Sequence, residues 1–165
     1  EGRLVANPGC YATAALLALA PLAGAIDGAV VDAKSGMTGA GRSLKQSSHA
    51  GFVLESFSAY AVGAHRLAPE MAQALGFPVT FVPHLLPVRR GLLATCYATP
   101  FDDDLRDRLE AAFAASPAVT LLPAGAVPEL SRVHGTDAAE VALFTDRATG
   151  RARSAVTARP CARLR

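Results

Sequence analysis

The run Asn7-Pro8-Gly9-Cys10-Tyr11-Ala12-Thr13 puts a cysteine on a glycine-containing turn, directly before an Ala/Leu-rich stretch that reads as a helix. A thiol in that place has two chemical advantages. The first backbone N–H groups of a helix have no intrahelical partner, so they can stabilise an oxyanion on whatever the sulfur holds. The positive end of the helix dipole also favours a thiolate, by about 0.3–1 kcal/mol. That is too little to ionise a thiol of ordinary pKa about 8.5. Nucleophilic chemistry at Cys10 therefore requires a basic partner, and histidine is the usual one. The competing reading is a small buried apolar residue, because free cysteine is among the residue types most often found inside.

The elements that must position such a site follow from periodicity and punctuation. Cys10 to Ala20 predicts a helix stopped at Pro21. Ala29 to Ala33 predicts a short strand running into a glycine-rich loop, Ser35 to Arg42. Ser56 to Val62 reads as extended. Ala68-Pro69-Glu70 opens a helix, with proline and an acid in the first turn, that ends near Gly76. Val79 to Val82 and Gly91 to Thr99 read as strands. Leu105, Leu109, Ala112 and Phe113 form a helical stripe within residues 101–116, opened by Asp102, Asp103 and Asp104. Val119 to Leu122, Glu140 to Phe144 and Arg153 to Ala158 complete the strands, the last two as a hairpin about Asp146 to Gly150. The fold expected is α+β, a mixed and largely antiparallel sheet with helices on one face. No GxGxxG follows a strand and leads into a helix, so a dinucleotide-binding opening is missing from the sequence.

Bulk properties narrow the function. With 51% hydrophobic and 18% charged residues, the 165-residue chain fits one globular domain with a real core. A net charge of +2, with no basic run interleaved with aromatics, argues against a nucleic-acid partner. The longest apolar stretch, Ala12 to Ala20, is far short of the ~20 residues of a membrane helix, and no signal peptide precedes it. An odd cysteine count of 3 fits a reducing compartment, the cytoplasm. The 4 histidines and 3 cysteines show no ligand spacing, so no metal is expected. The start at Glu1 rather than Met reads as a piece excised from a longer chain.

Residues 5–21, VANPGCYATAALLALAP, resemble the active-site signature of the N-acetyl-gamma-glutamyl-phosphate reductases throughout their length. Three further segments agree in the same order. SGMTGAGR at 35–42 is similar to the family's glycine loop, YAVGAHRLAPE at 60–70 to its Tyr…His-Arg segment, and PHLLPVRRGLLATCY at 83–97 to its Pro-His-Leu strand entry. The resemblance implies the catalytic domain of the glyceraldehyde-3-phosphate/aspartate-semialdehyde dehydrogenase superfamily. Residues 1–165 would then be a catalytic and dimerisation domain without its nucleotide-binding partner.

The activity implied is an NADP-dependent reduction of an acyl phosphate, N-acetyl-glutamyl 5-phosphate, through a cysteine thioester in arginine biosynthesis. In that reading Cys10 is the nucleophile and His65 the acid/base. Ser35, Gly36, Gly39 and Gly41 contact NADP, while Asn7, Arg42, Arg66 and Arg90 bind substrate, guanidinium forks suiting carboxylate and phosphate alike. A homo-oligomer, dimer or tetramer, is implied too. Two alternatives stand beside it: a sister reductase acting on aminoadipyl or aspartyl phosphate, and a non-catalytic assembly domain. Two departures bear on the choice. Leu67 stands where the family has a second histidine, and residues 159–165 do not follow the family's continuation, as a truncated or frame-shifted end would not. His84 reads as structural, and His49 and His134 as surface residues.

Overall fold

The structure, a computed structural model, describes residues 8–40, 49–146, 148 and 152–158. Helix α1 (Cys10–Leu19) is built from alanine and leucine, the strongest helix formers, and is apolar all round. A helix of that kind has to be buried, and Tyr11, Ala12, Ala14, Ala15, Ala18 and Leu19 are. Pro21 does not end the chain's helical path at once: α1 tightens into a 3₁₀ turn, Ala20–Leu22, which tolerates proline near its start. The remaining helices are α2 (Ala50–Val53), α3 (Leu67–Leu75), α4 (Leu105–Phe113) and α5 (Leu130–Val133). α3 stops at Gly76, whose left-handed φ of 78° suits a glycine C-cap.

Seven strands form one sheet: β1 (Ile26–Gly36), β2 (Ser58–Ala59), β3 (Val79–Leu86), β4 (Leu92–Pro100), β5 (Val119–Leu121), β6 (Ala139–Thr145) and β7 (Ala152–Ala158). Their order is β2-β3-β1-β4-β7-β6-β5. The β1–β3 and β5–β6 pairs are parallel and every other neighbouring pair is antiparallel. The expected mixed, largely antiparallel sheet is what the chain forms.

Two strands run longer than their composition suggests. β1 continues past the AVVDA core into Ser35 and Gly36, because β3 and β4 flank it and pair with it to its end. β3 passes through Pro83, which lacks an N–H for the ladder. The Pro83 carbonyl accepts the Tyr60 N–H at 3.0 Å, so the missing donor faces the β2 side, where the edge strand is two residues long. The expected extended stretch over residues 56–62 shrinks to that short β2, and the helix expected over residues 101–116 to α4, with Asp104 at its N-cap.

Alternation along the central strands divides the sheet's two faces. Ala29, Val31, Ala33 and Ser35 of β1, Phe81 and Leu85 of β3, and Leu92, Ala94, Cys96 and Ala98 of β4 are buried in the helix-covered core. α1 packs on β4 and β7 and also against α3. Burying one large side chain such as Phe81 contributes about 2–3 kcal/mol. On the opposite face of β1, Val30, Asp32 and Lys34 are half-buried or exposed. There Asp32 is ion-paired with Lys34, and His84 Nδ1 lies 3.1 Å from Asp32 Oδ1.

Candidate active site

Cys10 is the first residue of α1, and Gly9 is the N-cap in extended conformation (φ −65°, ψ 156°). No side chain caps this end. The first intrahelical bond runs from Thr13 N–H to the Gly9 carbonyl at 2.9 Å, and the Thr13 hydroxyl donates to the same oxygen at 3.1 Å. The N–H groups ahead of Thr13 have no acceptor within the helix, the arrangement an oxyanion requires. The turn is tight because Leu67 stands against it: a methyl group added at Gly9 would lie 3.0 Å from Leu67 Cδ1.

Around the start of α1 gather hydroxyls and rings from four elements. Tyr60 donates to the Tyr11 hydroxyl at 3.2 Å, and Tyr11 donates to the His84 carbonyl at 3.1 Å. Burial pushes the Tyr11 phenol far up, and its hydrogen bond with Tyr60 adds to that, while Ser35 at the end of β1 opposes it through a side-chain bond. Burial also raises the Tyr60 phenol, and the Cys10 sulfur, as a negative charge, raises both phenols further. The two tyrosines therefore stay protonated as neutral donors near Cys10. His65 sits among the edges of Phe81 (ring centroids 5.0 Å apart), Tyr60 (5.8 Å) and Tyr11 (5.9 Å). Its imidazole pKa is lowered by burial, and further by the neighbouring Arg66 charge.

Ser35 and His65 thus lie in one cluster with Tyr11, the residue after Cys10. Arg66 is exposed at the N-cap of α3, next to His65. Arg90 has its backbone against Gly36, the residue after Ser35, and lines a hollow with Gly91, Leu130, Val133, His134 and Gly135. Asn7, Gly41 and Arg42 lie outside the described residues. Gly36 and Gly39 are accounted for by the chain's own packing. A methyl group at Gly36 would stand 2.8 Å from the Val88 carbonyl oxygen, and one at Gly39 2.3 Å from Ser35 Oγ. Ser35 itself is buried (3% exposed) and donates to the Gly36 carbonyl. The described residues hold no group of three or more His, Cys, Asp or Glu side chains fit for a metal ion, and no helix long and apolar enough to cross a membrane.

Tyr11 and Tyr60 were not among the site residues expected from sequence. The available signal was their position, one beside Cys10 and the other opening the segment that carries His65.

The family model described as "Semialdehyde dehydrogenase, dimerisation domain" matches residues 10–158. The chain belongs to that family. Among curated semialdehyde dehydrogenase relatives, the N-acetyl-gamma-glutamyl-phosphate reductase of Pelotomaculum thermopropionicum is 46% identical over 165 aligned residues, covering 92% of this chain and 48% of that protein. The enzyme of the same name from Rhodospirillum rubrum is 45% identical over 163, covering 90% and 46%. The chain thus spans about half the length of the curated relatives it matches. Among solved structures, aspartate semialdehyde dehydrogenase II from Vibrio cholerae superposes with a TM-score of 0.73 at 16% identity, over 94% of this chain and 56% of that one. A probable aspartate-semialdehyde dehydrogenase from Pseudomonas aeruginosa gives 0.73 at 18%, over 94% and 57%. At those identities the likeness shows the fold. In this semialdehyde dehydrogenase domain, the start of α1 brings a thiol, backbone N–H groups with no acceptor inside the helix, two neutral phenols and an imidazole together. That set suits acyl transfer to sulfur.

Proposed function

We propose that the chain is the catalytic and dimerisation half of an NADPH-dependent reductase that converts N-acetyl-glutamyl 5-phosphate to N-acetyl-glutamate 5-semialdehyde, in the cytoplasm and in arginine biosynthesis. The observation that carries this reading is Cys10 at the uncapped start of α1, in the same cluster as Tyr11, Tyr60, Ser35 and His65. The names of relatives 40–46% identical supply the substrate. An acyl phosphate is already activated, so a thiolate suffices to attack it. The S–C bond forms, the C–O bond to phosphorus breaks, and phosphate leaves with the electron pair. The backbone N–H groups at the start of α1 meet the oxygen on which charge gathers. Reduction of the resulting thioester needs a hydride donor. We assign that part to NADPH held chiefly by the remainder of a longer protein, with Ser35, Gly36 and Gly39 as further contacts. Arg66, beside His65, and Arg90, against Gly36, are the arginines to which we assign a substrate carboxylate or phosphate.

A second reading concerns the acyl group. Leu67, where the family has a histidine, is buried against the Cys10 turn, and a sister acyl phosphate, aminoadipyl or aspartyl, is the competing substrate. The sheet face bearing Val30, Asp32 and Lys34 is the surface through which we propose that two copies associate, as the family's description implies.

The test is to add each acyl phosphate to the purified chain and follow phosphate release together with NADPH absorbance. About one equivalent of phosphate per chain, fastest with N-acetyl-glutamyl 5-phosphate and with flat absorbance, is expected. Sustained NADPH oxidation by this chain alone would show a cofactor site within it. Phosphate release unaffected by alkylation of Cys10 would refute the thioester.

A further inference from the structure

The Leu67 backbone N–H donates to His65 Nδ1 at 3.2 Å. A ring nitrogen that accepts a hydrogen bond carries no hydrogen, so a neutral His65 holds its proton on Nε2. The donor is firmly placed. Leu67 is the first residue of α3, and its side chain, 7% exposed, is wedged against Gly9. The ring is placed as well, in T-shaped contact with Phe81, Tyr60 and Tyr11. We infer that His65 acts as a neutral hydrogen-bond donor through Nε2–H, held in that tautomer by the Leu67 amide, and is not the base that takes the Cys10 proton. This rests on the proposed acylation of Cys10 and assigns the imidazole a different part in it.

The electrostatics agree. The groups facing His65 are Arg66, already a cation, and the phenols of Tyr11 and Tyr60, both held neutral. Protonating Nδ1 would set two hydrogens against each other across the Leu67 contact and place a second positive charge beside Arg66. In this tautomer the neutral imidazole has no lone pair at Nε2 for a thiol proton. It can still polarise a carbonyl, as a histidine kept neutral by its surroundings does elsewhere. In the acylation step, then, Cys10 attacks as a thiolate whose proton has not gone to His65. The S–C bond forms and phosphate departs, while the His65 N–H shortens its bond to the acyl oxygen and transfers nothing.

The experiment begins with the chain labelled with ¹⁵N-histidine and a long-range ¹H–¹⁵N spectrum, its His65 signals assigned with His65→Gln. His65 is expected to show an unprotonated Nδ1 and a protonated Nε2 at pH 8, and to keep that pattern below the ordinary histidine value of about 6.5. An unprotonated Nε2, or two averaged nitrogens, would overturn the inference. The second arm measures phosphate release from N-acetyl-glutamyl 5-phosphate by wild type, His65→Gln and His65→Ala. Glutamine offers a donor that does not titrate. It should stay within about tenfold of wild type, while alanine loses on the order of 10²-fold, as removal of an oxyanion donor does. Equal losses in both would point to a base and sink the idea. Absence of release from wild type would count against acylation of Cys10, and the nitrogen shifts would still decide the tautomer.

Discussion

Cys10 and Cys96 touch the same core, one at the start of α1 and the other in the middle of β4. Their surroundings differ in kind. Cys96 is 1% exposed, on the buried face of a central strand between Ala94 and Ala98. Burial pushes its thiol up to about 12, and the Asp32 carboxylate adds to that. Cys10 is half-buried at a helix end that no side chain caps, near two neutral phenols. Apolar packing keeps one sulfur neutral. At the other, the backbone is left open toward the site where a charged sulfur and an acyl oxygen would be. The same residue type serves the core in one place and chemistry in the other, and the local backbone decides which.

Removing each sulfur is the strongest way to break this contrast. Cys10→Ser should abolish phosphate release from the acyl phosphate, by at least on the order of 10³-fold, as loss of a covalent nucleophile does. Cys96→Ala should leave the release rate within about twofold. A similar loss in both variants would mean that Cys10 matters only through packing.

Alkylation reads the same contrast with a smaller effect. At pH 8, a thiol at about 12 is ionised in only about one molecule in 10⁴. Under limiting iodoacetamide, Cys10 should therefore label on the order of 10² times faster than Cys96 in the folded chain, as peptide mass spectrometry would show. Preferential labelling of Cys96 would reverse the assignment.

What the sequence disclosed, and what it did not, follows the reach of each interaction. Cys10 and the α1 that carries it are local features, a Pro-Gly turn and a run of helix formers, and both were legible. So was the hairpin of β6 and β7, joined by a turn-rich loop. The length of β1 was not, because Ser35 and Gly36 become strand only when residues 88–91 come alongside: Gly36 N–H binds the Gly91 carbonyl at 2.9 Å, and Met37 N–H the Val88 carbonyl at 2.9 Å. The Tyr60–Tyr11–His84 chain joins residues 49 and 73 positions apart, a separation that local pattern does not register. The glycine loop read as a cofactor contact from its place after a strand and from the family resemblance. The distances at Gly36 and Gly39 show that chain-on-chain packing alone accounts for those two glycines.

Stability against pH sharpens the comparison at Cys96. In the unfolded chain this thiol ionises near 8.5, and in the folded chain only near 12. Below 8.5 both states are neutral and the contribution is fully present. As pH rises from there toward 12 the unfolded state alone gains charge, so stability falls, by about 1–2 kcal/mol at pH 10. Cys96→Ala should cost about 1 kcal/mol at pH 7 through lost packing, and should flatten this alkaline decline. Urea midpoints at pH 8 and pH 10 measure both. A decline that persists unchanged in Cys96→Ala would place its cause elsewhere.

The smallest effect concerns the wall beside Cys10. Leu67 is buried, touches Gly9, and holds His65 through its backbone, so a side-chain change there should leave that N–H in place. Leu67→His puts a titratable ring against the Cys10 turn. Folding should suffer by about 1 kcal/mol, the lower range for burying a polar group that finds a partner or water at the cleft edge. Catalysis should change in kind. The pH profile of phosphate release should gain a limb below about 6.5, because burial holds an imidazole neutral and only acid charges it. Once charged, the ring would sit near the sulfur, His65 and Arg66, alter the thiolate population, and shift the rate a few-fold. Leu67→Met is the control, since it keeps apolar volume and should add no limb. If the Leu67→His profile matches Leu67→Met in shape and rate, position 67 takes no part in proton traffic at Cys10, and its contribution is the packing of Leu67 against Gly9.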